Sequence, residues 1–199
     1  MTPRDATREP RPRAGARLLS AALLVSALAC GEPSAGARYD GDDGRVVFVT
    51  SGVYTGELGG LAGADALCQR VADEAGIAGT FAAWLSGPEE AASARLRPAS
   101  SPYVLVDRTI VADDWGDLVD GALRVPIELD ELGATEHGDV WTGTLIDGAT
   151  SPDGDCDGFR SASASLRGLC GSAASDEAAW TENSLPRCTT RLHLYCVQQ

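Results

Sequence analysis

Residues 46–69 read VVFVTSGVYTGELGGLAGADALCQ, and this stretch decides the fold class because a strand pattern passes through a glycine-rich turn into a helix pattern. Residues 45–50 are rich in β-branched side chains and have turn-forming residues on both sides, which is typical of a strand. Between residues 61 and 75 apolar side chains recur at helical spacing, and Gly76 is a suitable C-terminal stop. The stretch therefore predicts a strand followed by an amphipathic helix that carries Cys68 on its buried side.

Short strand patterns separated by turns follow the helix. They lie at residues 81–85, 103–106, 109–112, 139–144, 178–182 and 192–197. The loops between them are long and rich in Gly, Asp, Ser and Ala, above all residues 145–177. Loops of this length in a compact domain usually need a function, disulfides or both. We expect an α+β fold in which one early helix packs on short, mostly antiparallel strands joined by disulfide-stapled loops.

The N-terminal residues predict export. A basic start is followed by an apolar run at residues 18–29, which is the layout of a secretory signal peptide and is shorter than the roughly 20 residues of a membrane span. The sequence ALAC that ends at Cys30 resembles the lipobox of bacterial lipoproteins, in which the cysteine is acylated. Ordinary cleavage near Ala29, leaving a thiol, is the alternative. The residue after the cysteine is Gly31 and not the Asp of an inner-membrane retention signal, so the outer membrane or cell surface is the expected location.

Three segments are expected from this pattern. Residues 1–29 form the signal peptide, residues 30–44 form an acylated cysteine with a flexible acidic tether, and residues 45–199 form one folded domain. The net charge is −13 and every basic residue is Arg. This balance argues against nucleic acid, heparin-like polyanions and anionic membranes as partners, so membrane contact is expected through the N-terminal lipid only. The oligomeric state does not follow from the pattern.

Five cysteines lie beyond Cys30, at positions 68, 156, 170, 188 and 196. In an exported protein cysteines indicate disulfides first, and no zinc-type spacing is present. Because five is odd, at least one thiol has no partner within the domain, and the spacing alone leaves the connectivity open.

Several segments together resemble the C-type-lectin-like fold and, more narrowly, an endostatin-like family of bacterial lipoproteins of unassigned function. The resemblance covers essentially all of residues 45–199. It is carried by residues 46–69, VWTGT at 140–144, DCDGF at 155–159, WTE at 180–182, Cys188 and RLHLYC at 191–196.

The resemblance implies two disulfides. Cys68 would join Cys196 and so clamp the two ends of the domain, while Cys156 would join Cys188 across the long-loop region. Cys170 then has no partner, and an exchange of Cys156 and Cys170 is the alternative.

One acidic turn is a candidate calcium site. Asp153, Asp155 and Asp157 match the DxDxDG half of an EF-hand loop, but Ala164 stands where a bidentate Glu is required. Calcium in a looser loop is the only cofactor candidate. The alternative is a solvated turn that carries a structural cysteine.

Four residues are candidates for ligand binding: Trp115, Trp141, Glu182 and Asn183. Trp115 lies in an acidic cluster, DDWGD, where it could stack on a sugar or pack inward. Glu182 and Asn183 follow Trp180 and weakly resemble the carbonyl-bearing side chains with which sugar-binding lectins hold calcium, although core packing is the favoured interpretation of Trp180.

Catalytic patterns are lacking in this sequence. His137 and His193 are its two histidines, and no GxSxG elbow, P-loop or dinucleotide fingerprint occurs. We therefore expect a non-enzymatic binding module for a glycan or for an extracellular or envelope protein. A structural envelope component is the first alternative, and a hydrolase that uses paired carboxylates is the second.

Overall fold

The computed structural model describes residues 37–199, which belong to one compact unit. Its helices and strands, in chain order, are β1 (Arg45–Val49), α1 (Gly60–Ala75), β2 (Phe81–Ala83), α2 (Ala92–Arg95), β3 (Tyr103–Val104), β4 (Ile110–Ala112), α3 (Trp115–Leu118), β5 (Asp139–Trp141), α4 (Cys156–Phe159), β6 (Cys170–Ser172) and β7 (His193–Gln198). A 3₁₀ turn spans Ala178–Trp180. The predicted α+β class is confirmed.

The first and last strands of the domain form the centre of its sheet. The strand order is β4-β3-β1-β7-β5-β6, with β2 paired to β7 away from this path. β7 lies antiparallel to β1, with Phe48 opposite Cys196. Its other side is shared by β5 and β2, so the sheet curls around β7. The pairs β1–β3 and β5–β7 are parallel, and the remaining pairs are antiparallel.

The predicted helix is confirmed in position and orientation. α1 begins at Gly60, and Gly59 and Gly60 have φ angles of 82° and 75°, in the left-handed region that glycine tolerates. It ends at Gly76, also left-handed, whose N–H reaches back to the carbonyls of Ala72 and Asp73. Cys68 faces inward and is fully buried.

Two apolar clusters cover the two faces of the sheet. The alternation of side chains along β1 and β7 sends Val47 and Tyr195 to one cluster and Phe48 and Cys196 to the other. The first core holds Trp84, Tyr103, Trp180 and Tyr195, and the second core holds the buried side of α1 with Trp141 and Phe159. Burial on both faces explains why β1 and β7 read as continuous apolar runs.

One predicted strand is wrong and one strand was missed. Residues 178–182 contain the 3₁₀ turn at Ala178–Trp180 instead of a strand. Trp180 packs in the first core, and Thr181 accepts a hydrogen bond from Trp84 Nε1 at 2.9 Å. β6 lacks β-branched residues; it pairs with β5, and Gly171 in its middle admits a close approach of the Trp180 backbone. A Cβ at Gly171 would lie 1.8 Å from the carbonyl oxygen of Trp180. The other predicted strands are present, mostly shortened.

Two disulfides are present, and they join the same pairs that the resemblance implies. Cys68–Cys196 has a Cα–Cα distance of 5.3 Å and ties α1 to the central strand β7. Cys156–Cys188 has a Cα–Cα distance of 5.6 Å and joins two long loops. Cys170 is free and buried.

The N-terminal predictions fall mostly outside the described residues. The signal peptide at 1–29, Cys30 and the tether as far as residue 36 are not among them. Residues 37–44, assigned to the tether by sequence, contact the domain: the Tyr39 N–H donates to the Arg108 carbonyl at 2.9 Å. None of the described helices is long and apolar enough to cross a membrane.

We expect the two disulfides to stabilise the domain to different degrees. In the chain-entropy model, the 128-residue separation of Cys68–Cys196 and the 32-residue separation of Cys156–Cys188 correspond to about 5 and about 4 kcal/mol of unfolding free energy. Urea unfolding of Cys68→Ala/Cys196→Ala and Cys156→Ala/Cys188→Ala measures both losses. Cys170→Ala is the control, since it removes a buried cysteine but no crosslink. A loss in this control equal to those of the double variants would contradict the expectation.

Candidate functional site

Three segments lie side by side around the Cys156–Cys188 disulfide and form the best-defined loop surface of the domain. The Cys156 N–H donates to the Arg167 carbonyl at 3.1 Å, and the Cys188 N–H donates to the Leu166 carbonyl at 3.0 Å. Residues 166–168 are thus held between the segment of Cys156 and the segment of Cys188. They lead directly into β6, at the edge of the sheet.

This surface carries exposed arginines, which we name the arginine strip: Arg167, Arg187 and Arg191. Arg167 and Arg187 are direct antiparallel partners. Arg167 Nη1 donates to the Leu185 carbonyl at 2.6 Å, and Arg187 Nη1 donates to the Ala164 carbonyl at 2.5 Å. Each guanidinium is therefore anchored on the opposite segment and keeps most of its five donors free.

No carboxylate forms an ion pair with the strip within residues 37–199. The ion pairs formed there by Arg38, Arg70, Arg95, Arg124 and Arg160 do not include the arginines of the strip. Segments 158–175 and 183–199 contain no Asp or Glu, although the chain has a net charge of −13. Like charges directly opposite each other on paired strands are destabilising. The strip is therefore a locally positive surface on an acidic protein, and it suits an anionic partner.

Arg191 extends the strip towards β1. Its Nη2 donates to the Val53 carbonyl at 2.7 Å, in the turn that follows β1. The neighbouring Thr190 N–H donates to the Arg187 carbonyl at 2.8 Å, so a tight turn separates the two arginines. All three guanidinium groups are thus held by backbone carbonyls, which limits the conformational entropy that they would lose on binding.

A strained turn fixes the base of this surface. The four residues of α4, Cys156–Phe159, have φ values of 53°, 59°, 63° and 56°, so this short helix is left-handed. Such a conformation costs roughly 1–2 kcal/mol per non-glycine residue. It is held because Phe159 packs in the second core at 6.1 Å from the Trp141 ring and its carbonyl accepts from the Leu58 N–H at 2.9 Å. The disulfide and the core together hold the loops in place.

The candidate calcium residues do not form a cation site in the structure. Among residues 37–199, no group of three or more His, Cys, Asp or Glu side chains could hold a metal ion. Asp153 and Asp157 are exposed, and Asp155 is half-buried at the start of the left-handed turn. The structure therefore does not gather these three carboxylates around one point.

The two candidate tryptophans lie in different cores. Trp141 is fully buried and its Nε1 donates to the Tyr54 carbonyl at 2.8 Å, so the ring has no surface on which a ligand could stack. Trp115 is half-buried and packs inward, with ring centroids 5.9 Å from Trp84 and 6.4 Å from Tyr103. The inward-packing interpretation of Trp115 agrees with this geometry.

Glu182 and Asn183 make separate local contacts. A carboxylate oxygen of Glu182 accepts from the Ile146 N–H at 2.7 Å, which holds the following loop. Asn183 is exposed, and its Nδ2 donates to Asp139 Oδ1 at 3.4 Å. The four residues predicted to bind a ligand therefore do not form a single site.

Neither histidine is placed beside a nucleophile. His193 is buried, and its Nδ1 lies 2.6 Å from the Thr50 carbonyl, which requires a proton on Nδ1. Its Nε2 lies 3.9 Å from Glu136, while the exposed His137 lies 3.6 Å from Glu128. Within the part of the chain that the structure describes, no hydroxyl or thiol is hydrogen-bonded to either ring.

The free thiol is shielded from solvent. Cys170 is fully buried and lies 3.1 Å from Ser184 Oγ. Burial raises the pKa of this thiol above its ordinary value, which keeps it protonated at neutral pH. Cys170 therefore contributes packing and a weak hydrogen bond.

The arginine strip was missed by sequence reasoning, which averaged the charge over the whole chain. Its signal was the two acid-free segments that each carry arginines. These two segments form one surface only because Arg167 and Arg187 pair with each other in the antiparallel direction. Comparisons of the chain with protein-family models and with curated proteins find no match.

We expect the strip to bind small oxyanions weakly. Arg167→Gln/Arg187→Gln removes two positive charges, and Arg70→Gln/Arg97→Gln is the matched control because both of those arginines are also exposed. Sulfate stabilises folded proteins in general, so the informative quantity is the difference in Tm increment between variants at equal ionic strength. The Tm of the strip variant should rise less with sulfate than the Tm of the control variant or of the unaltered chain. Equal increments in all three proteins would argue against an anion site.

Proposed function

We propose that the chain is an exported, lipid-anchored binding module without catalytic activity. Its C-type-lectin-like domain would present the arginine strip to a glycan or to an extracellular or envelope protein. The observation that carries this proposal is the strip itself: exposed arginines anchored on backbone carbonyls, beside a disulfide, with no carboxylate paired to them in residues 37–199. Such a surface offers recognition without any arrangement for bond breaking.

The end-to-end construction of the domain supports the lectin-like assignment. β1 and β7 pair at the centre of the sheet, and Cys68–Cys196 links the early helix to the last strand. The loops that follow β5 are held by the second disulfide. These features agree with the resemblance of residues 45–199, and two disulfides suit a protein that folds in an oxidising compartment.

The burial of the aromatic side chains limits the types of ligand that this surface can bind. Trp84, Trp141 and Trp180 are at most 1 % exposed, and Trp115 packs inward. A neutral sugar held by aromatic stacking is therefore a poor fit to this surface. Arginine forks favour carboxylate, sulfate or phosphate groups, because they can donate two parallel hydrogen bonds to one oxyanion.

A structural envelope component is the second candidate. It is favoured by the two-sided core and by the opposite charges of the two edges of the sheet, where the arginine strip lies near β6 and exposed carboxylates lie near β4. Such a component would bind copies of itself or of its neighbours and would need no small ligand.

The binding proposal is tested by arrays of glycans and of matrix and envelope proteins, probed with the oxidised full chain in calcium and in EDTA. We expect binding that weakens with added salt and is lost in Arg167→Glu/Arg187→Glu. Arg70→Glu/Arg97→Glu changes the charge equally at other exposed positions and should bind normally. Binding that disappears in EDTA would contradict recognition by arginine, and an array without any signal would leave the structural component as the better proposal.

Anchoring is tested separately at Cys30. The unaltered chain should be acylated and should pellet with membranes, because two or three acyl chains hold a protein firmly at a bilayer. Cys30→Ala should release the protein or leave it with an uncleaved leader, as mass spectrometry of the N-terminal peptide would show. An acylated, membrane-bound Cys30→Ala protein would refute the lipobox assignment.

A further inference from the structure

The edge of the sheet opposite the arginine strip is acidic. β4 is the outermost strand on that side, and residues 37–44 run along it, with Arg38 bridged to Thr109. Exposed carboxylates accumulate there. We name this surface the acidic edge and define it by Asp40, Asp42, Asp43, Asp113, Asp114 and Asp120.

Part of the acidic edge has no partner within the described residues. Asp113 pairs with Arg124, and Asp43 accepts from the Tyr39 hydroxyl. Asp40 and Asp42, by contrast, make no side-chain hydrogen bond or ion pair with residues 37–199. The segment that carries them is nevertheless held in place, because the Arg108 side chain lies over the Tyr39 ring at 5.6 Å from its centroid.

The two charged surfaces do not pair with each other within one copy. The acidic edge lies at β4, the outermost strand on one side of the sheet, and Arg167 leads into β6, the outermost strand on the other side. No ion pair between the two surfaces occurs among residues 37–199. Each surface is therefore available to another molecule.

We propose that the arginine strip binds the acidic edge of a second copy of this chain, so that the domains associate head to tail. The inference rests on the proposed function because it uses the same arginine strip, and it specifies another copy of this chain as the partner. The contact is heterologous: each copy contributes its strip to one neighbour and its acidic edge to another. Such a contact does not close on itself in a dimer and extends into a row.

The charge balance defines the conditions under which this contact forms. Two copies that each carry a net charge of −13 repel one another at long range. Physiological salt screens this repulsion beyond a Debye length but screens adjoining opposite charges much less. Association is therefore weak in free solution and is favoured when the chains are concentrated on a surface, where attachment raises their effective concentration.

Sedimentation velocity of the full chain tests the contact, in detergent at less than one chain per micelle and at about 0.15 M salt. The strip variant is Arg167→Gln/Arg187→Gln, and the acidic-edge variant is Asp40→Asn/Asp42→Asn, so that neither change creates a new charge that the other variant could bind. Arg70→Gln/Arg97→Gln and Glu74→Gln/Glu90→Gln are charge-matched controls at other exposed positions. Near-ultraviolet circular dichroism verifies that every variant is folded.

The unaltered chain and both controls should show a sedimentation coefficient that rises with concentration. Each of the two surface variants alone should remain monomeric. Their equimolar mixture should form dimers and nothing larger, because the strip variant keeps its acidic edge and the edge variant keeps its strip. Self-association of either surface variant, or a mixture that stays monomeric, would overturn the proposal.

The array experiment separates this inference from the proposed function. An unaltered chain that stays monomeric at every concentration, yet binds an arrayed ligand through the strip, overturns self-association and leaves the binding module intact. Self-association that depends on both surfaces, with no signal on the array, supports the inference and moves the function to the structural component.

Discussion

The pairing of β1 with β7 is the interaction on which the rest of the structure depends. It brings residues 45–49 and 193–198 together and places both strands between two cores. α1 packs on one face of this pair and is crosslinked to it through Cys68–Cys196. β3 then pairs with the free side of β1, and β5 pairs with β7 on the side away from β1. The long loops connect these elements at the surface. Without this pairing neither core would be closed.

The loop surface depends on the second core in the same way. Cys156 and Phe159 are both buried there, and between them the backbone is forced into a left-handed turn. The energy for this conformation comes from the crosslink and from aromatic packing, since three of its four φ values belong to Cys156, Asp157 and Phe159, and neither cysteine nor phenylalanine favours the left-handed region. The arginine strip is thus a product of core packing as much as of surface charge.

The sequence predicted what local patterns encode and missed what depends on distant contacts. The strand at residues 45–50, the helix with its stop at Gly76 and the α+β class follow from periodicity and glycine chemistry, and all are present. β6 could not be predicted, because its residues favour a strand only when β5 lies beside them and Gly171 lets the backbone of Trp180 approach. The strip could not be predicted for a similar reason. Arg167 and Arg187 are 20 residues apart along the chain, and only the fold makes them neighbours.

The central position of β7 has a consequence for biosynthesis. Residues 193–198 are the last strand of the domain and yet pair with β1, β2 and β5. A growing chain that lacks them exposes β1 without its main partner and leaves Cys68 without Cys196. Non-local pairings of this kind slow folding and cannot form until both partners are made. The domain therefore completes its fold only after residue 198 has left the ribosome, so its two cores stay open for as long as the chain is being made.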